Sequence, residues 1–326
     1  MAGMGTPIGI GLIGAGRHGI RYARHLVQDV PQARLRAICR RRPDQELDVP
    51  GTEQVARYGS VADLIADRAV QAVIAVVPPV LHKDICLAAV AAGKPVLIEK
   101  PLATTAEDAR AMVAAADAAG VPLMTAQTLR FDQAIQELLT WRPSIGRPQH
   151  LVLTSRIETK GRERSHAEGY GGRGALLEFG VHLLDLVWYL TGEDICEVRC
   201  TMDQFPPNAP DTLAMVQLVT SSGMPCVIEV ARVAAGRVGR AEWIGSEGQA
   251  AVDWSRRHGR VMTAQAPAQE QAISPSQTVL LALQAFVKAL AQGTPMPVTG
   301  HDGLRAVELA DACYRSAANG GRPILF

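Results

Sequence analysis

Along the first 125 positions, short apolar runs alternate with stretches of helical period. Ile8 to Ile13 reads as a buried strand, and the residues from Arg21 to Gln28 as a helix. Strand-like runs recur at Leu35–Cys39, Ala72–Val77, Pro95–Glu99 and Val121–Met124. Between them lie a short helix capped by Ser60, a helix from about Leu81 to Ala91 that ends at Gly93, and a helix that runs to Ala119 and stops at Gly120. Thr104 and Glu107 have the spacing of a capping box for that last helix. Alternating strands and helices predict an α/β domain with a parallel, doubly wound sheet.

Beyond position 126 the rhythm changes. A helix from Asp132 to Trp141 and a turn from Pro143 to Pro148 precede a strand, His150–Arg156. Lys160–Arg173 is charged and rich in glycine, and reads either as a flap over a ligand or as a solvated connector. Three β-type runs follow, Ile195–Met202, Thr212–Thr220 and Met224–Ala234, with a turn at Ser221–Gly223. Arg240–Gly245 and Gly248–Asp253 form a further hairpin, and Gln265–Gln271 reads as an exposed loop. Pro275–Gly293 holds a helix, and Asp302 is placed to cap a last one that runs to about Ala318. A sheet with one wet face supports a homodimer or homotetramer.

One stretch, Gly174 to Asp185, combines an apolar helix with charge. Glu178, His182 and Asp185 stand at i, i+4 and i+7, and Tyr189 extends the stripe. The neighbours are nearly all apolar, so this helix is expected to be buried. Unpaired buried charge is costly, so the row needs partners or a cleft. Gly180, between acid and imidazole, leaves room for something to approach the backbone. Two readings stand on these residues alone: the row faces a substrate, or it forms a structural polar network.

Gly14-Ala-Gly16-Arg17-His18-Gly19 sits between the first strand and first helix. In that setting Gly14 makes the turn, Gly16 admits a pyrophosphate, and Gly19 lets helix and strand pack closely. The helix N-terminus offers amide donors and partial positive charge. At the end of the second strand, where an acid holds the ribose of NAD, the chain has Arg40 and Arg41, and no acid occurs between Asp29 and Asp44. A guanidinium suits a 2′-phosphate, so NADP(H) is expected, with NAD(H) left open. Pro78, Glu99 and Lys100 fall at the same strand ends, where ligands of such sheets bind, and His82 is expected near the cofactor or as a cap of its helix.

Composition narrows the classes. The 326 residues suggest two domains, and Lys plus Arg (33) nearly balance Asp plus Glu (32), which disfavours a nucleic-acid binder. The chain has no apolar run long enough to span a membrane. Cys39, Cys86, Cys196, Cys200, Cys226 and Cys313 have no metal or redox spacing, which argues for no metal and for a reducing, cytoplasmic location.

Taken together, GAGRHG, Pro78-Pro79-Val-Leu-His82, Glu99-Lys100-Pro101, Glu178-x-Gly-x-His182-x-x-Asp185 and the ending from His301 to Leu325 resemble the glucose-fructose oxidoreductase and inositol dehydrogenase (Gfo/Idh/MocA) family. The resemblance implies a Rossmann domain over 1–126. It implies a C-terminal α+β domain over 127–326, with an open, mostly antiparallel sheet and an active site between the two. The last helix, about 302–318, is expected to pack back near the first domain. It implies Lys100 and His182 as the catalytic pair, with an acid at 178; the family's usual Asp is Glu178 here, which bears on the substrate. Gln127 is expected near the nicotinamide or as a plain linker, Asp185 as an anchor of the helix or of a substrate hydroxyl, and Arg130 and Tyr170 near the substrate.

The expected activity is hydride transfer between NADP(H) and a secondary alcohol or ketone of a sugar or cyclitol. His182 serves as acid/base and Lys100 polarises the oxygen. A cofactor-binding regulator without turnover, and an enzyme that retains its cofactor through a non-redox reaction, are the rivals.

Overall fold

A computed structural model describes residues 6–159, 167–203 and 209–326. The chain forms two compact units: residues 1–127 with 278–304, and residues 128–277 with 305–326.

The first unit holds a six-stranded parallel sheet in the order β3-β2-β1-β4-β5-β6. Its strands are β1 (Ile8–Ile13), β2 (Ala33–Cys39), β3 (Ala56–Tyr58), β4 (Ala72–Ala75), β5 (Val96–Glu99) and β6 (Leu123–Ala126). The central strands are apolar on both faces because helices cover both: Ile10, Leu12, Val73, Ile74, Leu97 and Ile98 are fully buried. The order reverses between β1 and β4, the position where such sheets open a ligand crevice at the strand carboxyl ends. The three-residue β3 went unread in the sequence because it has almost no pattern.

Helix starts refine the sequence reading. Ser60 caps Val61–Ala66 as expected, its Oγ accepting from the Asp63 N–H. The helix Ala106–Ala119 is capped by Thr105, one residue later than expected, through the Asp108 N–H. Thr299 caps the helix Gly300–Ala318, its Oγ1 accepting from the Asp302 N–H, and Asp302 Oδ2 in turn accepts from the Thr299 N–H. Asp302 is therefore the reciprocal member of a capping box, not the cap.

The second unit is a nine-stranded sheet in the order β14-β13-β12-β11-β7-β10-β9-β8-β15. Its strands are β7 (Pro148–Glu158), β8 (Ile195–Asp203), β9 (Leu213–Thr220), β10 (Pro225–Val233), β11 (Val238–Gly245), β12 (Gly248–Asp253), β13 (His258–Thr263), β14 (Gln269–Ala272) and β15 (Ile324–Leu325). Every pairing is antiparallel except β10 with β7. Leu151, Leu153, Val216, Ile228, Val230 and Trp243 face a core completed by the helices Gln133–Trp141 and Val181–Thr191. Residues of the opposite register, such as Met215 and Ile244, are exposed. Part of the expected loop Gln265–Gln271 is instead the edge strand β14, whose side chains are all exposed and so show no inward register.

Candidate active site

The nucleotide turn follows β1 directly. Gly14 has φ of +92°, and a Cβ there would run into the Val76 carbonyl; a Cβ on Gly19 would run into the Gly14 carbonyl. A Cβ on Gly16 would meet nothing within 4 Å, so among the described residues none beyond its chain neighbours fills the space in front of that backbone. An open Gly16 at the start of the helix Gly19–Gln28 fits a dinucleotide pyrophosphate. Arg17 and His18 are exposed on this turn.

Glu99 and Lys100 stand at the end of β5. Glu99 Oε1 accepts from the Tyr22 hydroxyl at 2.5 Å and lies 2.7 Å from His18 Nε2, while Glu99 Oε2 accepts from the Lys100 N–H at 3.0 Å. His18 thus joins the turn to the residue beside Lys100. Burial by itself would raise the Glu99 carboxyl. The hydrogen bond and charge of His18, the charge of Lys100 and the Tyr22 hydroxyl outweigh it, and the carboxyl falls from 4.5 to about 2. A carboxylate depressed on folding stabilises above its unfolded value and loses that contribution as pH falls through its folded one. Glu99 is therefore expected to contribute about 3 kcal/mol above pH 4.5, fading towards pH 2. Urea titrations across that window should show a flatter pH dependence in Glu99→Gln; an unchanged slope would remove this contribution.

Other expected cofactor residues separate. Pro78 is exposed at the strand end, and Gln127 is fully buried. Arg40 is held by its N–H to the Tyr58 carbonyl (3.0 Å) and its Nη2 to the Glu46 carbonyl (3.2 Å), and Arg41 is exposed. His82 does not reach outward: it is fully buried, with Nδ1 2.9 Å from the Pro101 carbonyl and Nε2 3.0 Å from the Val77 carbonyl. It braces the loops after β4 and β5.

In the second unit the stretch around Glu178 is not one regular α-helix. Leu176–Gly180 winds as a π-helical turn and leads into Val181–Thr191. Such turns recur at functional sites. Glu178 is ion-paired with Arg232 of β10, whose guanidinium also lies 5.0 Å from the Phe179 ring centroid. His182 is half-buried in the first turn of the α-helix. The room inferred at Gly180 is taken by protein: a Cβ there would come within 2.8 Å of Val230 and 2.9 Å of Leu176. Gly180 lets the segment lie against the sheet.

Arg130, expected near substrate, and Asp185, expected to anchor the helix or a substrate hydroxyl, are buried against each other, with Arg130 Nε and Nη2 donating to the two carboxylate oxygens at 2.8 and 2.6 Å. Arg130 also faces the rings of Trp188 and Tyr189 at 5.4 and 5.0 Å. Tyr170 packs on the core of this unit; Lys160–His166, the first half of the expected flap, lie outside the described residues.

Arg232 escaped the sequence reading, although a signal existed. Cys226, Ile228, Val230 and Arg232 alternate onto one face of β10, so a guanidinium occupies an apolar register. Asp211, buried beside Gly174, was also missed, since nothing local marks it.

Among the described residues no cluster of three or more His, Cys, Asp or Glu could hold a metal, and no helix is long and apolar enough to cross a membrane. Cys196 is exposed and the other five cysteines are buried.

Known proteins share this architecture along its length. A myo-inositol 2-dehydrogenase of Thermotoga maritima is 30% identical over 329 residues, covering 94% of this chain and 95% of its own. An inositol 2-dehydrogenase of Burkholderia cenocepacia is 29% identical over 334 residues, with 95% and 94% covered. The crystal structure of GenD2 from gentamicin A biosynthesis, in complex with NAD, superposes with a TM-score of 0.85 at 25% identity, covering 100% of this chain and 98% of that one. Residues 8–127 match the NAD-binding Rossmann domain of the GFO_IDH_MocA oxidoreductase family, and residues 160–325 match its C-terminal alpha/beta domain. With both domains matched in order over most of its length, the chain belongs to the Gfo/Idh/MocA family of oxidoreductases.

Proposed function

We propose that the protein transfers a hydride between a nicotinamide dinucleotide, NADP(H) in preference to NAD(H), and a secondary alcohol or ketone of a cyclitol or sugar. The observation that carries this reading is the 2.7 Å link between His18 and Glu99, which brings Lys100 beside a nucleotide turn left open at Gly16. The inositol dehydrogenase names of the relatives support the substrate class.

When bound, the nicotinamide ring supplies the hydride acceptor or donor. Lys100 directs its ammonium at the substrate oxygen and stabilises the developing alkoxide. His182 takes the hydroxyl proton in oxidation and returns it in reduction, a task suited to an imidazole near neutral pH. Glu178, tied to Arg232, fixes the turn that precedes His182. The exposed face of the nine-stranded sheet, with Met215 and Ile244, is the surface for self-association.

The test is a panel of myo-inositol, other cyclitols and aldoses, each with NAD⁺ and NADP⁺, read by absorbance of the reduced cofactor and by chromatography of the products. Turnover of a polyol supports the reading; tight cofactor binding with no turnover across the panel favours the regulator. Turnover without net cofactor reduction favours the cofactor-retaining alternative. Arg40 carries the NADP preference, because a guanidinium pairs with a 2′-phosphate and an acid repels it. Arg40→Asp is expected to shift the ratio of kcat/KM for the two cofactors towards NAD⁺ by about a hundredfold, or ~2.7 kcal/mol. An unmoved ratio would take that role from Arg40.

A further inference from the structure

The π-helical turn before His182 has no cap from its own neighbours in sequence. The first amides of a helical segment have no intrahelical partners and must be satisfied from outside. Here one distant residue satisfies three in succession. The Gly174 N–H donates to Asp211 Oδ1 at 2.8 Å, the Ala175 N–H to the Asp211 backbone carbonyl at 2.8 Å, and the Leu176 N–H to Asp211 Oδ2 at 2.8 Å. Asp211 is only 3% exposed. A Cβ on Gly174 would collide with the Asp211 backbone, so glycine is required for this approach.

The grip extends further. The Tyr314 hydroxyl, from the helix Gly300–Ala318, donates to Asp211 Oδ1 at 2.8 Å. Burial, then the charge and hydrogen bond of Asp211, keep that phenol protonated and so a donor. The Tyr314 ring lies 4.6 Å from the Arg173 guanidinium, which is ion-paired with Asp311. On the other side, the Arg232 N–H donates to the carbonyl of Thr212, next in sequence, at 2.7 Å. Asp211–Thr212 therefore holds the first three amides of the segment and also the backbone of Arg232, whose side chain holds Glu178. The stretch is thus held at the amides of Gly174, Ala175 and Leu176 and, through Arg232, at Glu178, and His182 follows one turn later.

We infer that Asp211 is a positioning residue for the reaction: by clamping the amides of Gly174, Ala175 and Leu176 it sets the register of the π-turn and with it the placement of the His182 imidazole. This rests on the acid/base reading of His182 given above. Asp211→Asn keeps the shape but turns an NH₂ group towards an N–H, so one of the two carboxylate hydrogen bonds is lost.

Asp211→Asn is expected to lower kcat, for whichever polyol of the panel is oxidised, by between about tenfold and a hundredfold, with KM changed less than about threefold. In the His182→Asn background the same substitution should cause no further loss beyond about twofold, because the group it positions is gone. The ring titration of His182, followed by NMR without substrate, should move by about half a unit or more in Asp211→Asn. A full loss that persists in the His182→Asn background, or an unmoved His182 titration, overturns the positioning role alone. His182→Asn with normal rate and pH profile overturns the acid/base reading and, with it, this inference. Should Asp211→Asn fail to fold, Tyr314→Phe removes one bond to the same carboxylate. It should give about a twofold loss with the same disappearance in His182→Asn and the same sense of movement in the titration.

Discussion

Lys100→Met lowers the rate of hydride transfer by about a thousandfold and leaves cofactor affinity within about threefold; these are the outcomes expected if the ammonium acts on the substrate oxygen. Methionine keeps the length and most of the volume of the side chain and removes only the charge and its donors. Lys100 is half-buried at the end of β5, and its N–H is already held by Glu99. That backbone hydrogen bond is retained in the methionine variant. The pyrophosphate is expected at Gly14, Gly16 and Gly19, whose backbone the substitution leaves unchanged. Single-turnover rates and a fluorescence titration with the reduced cofactor separate the two quantities. If affinity and rate fall together by the same factor, Lys100 belongs to the cofactor site and the chemical role passes elsewhere.

Asp185→Ala, and equally Arg130→Met, should lower the stability of the protein by about 3–5 kcal/mol. The reason is the burial of the pair: the Arg130 and Asp185 side chains are 5% and 2% exposed, and removing one charge takes the bidentate ion-pair partner from the other in a low-dielectric interior. The bidentate geometry makes the mutual satisfaction close to complete for the carboxylate. Replacing both together by apolar residues should recover much of the loss, as expected when the desolvation of two ions offsets most of their attraction. Urea unfolding of the two single variants and the double variant gives the comparison. Single variants that unfold at wild-type urea concentrations while raising the KM of the substrate would return both residues to the substrate site.

The same pair shows where sequence reasoning stops. Asp185 stands on the face of Glu178 and His182, and that spacing was legible. Its partner lies 55 positions away on the chain, and no local rule selects Arg130 over the other arginines. Glu178 repeats the case with Arg232, as do Glu99 with Tyr22 and Gly174 with Asp211. The π-turn was invisible for the same reason: the amides that lead into it are satisfied by a residue 35 to 37 positions further on.

What the order of residues determined by itself was the alternation of strands and helices, the glycine turn, and the residue types at the strand ends. Each depends on interactions within a few positions, where backbone sterics and the periods of helix and strand are decisive. Folding in three dimensions decided which charges are spent on one another and which caps are used. It also filled the space beside Gly180 with Val230. Those outcomes turn on contacts between elements far apart in the chain, and a difference of one residue in register exchanges one partner for another.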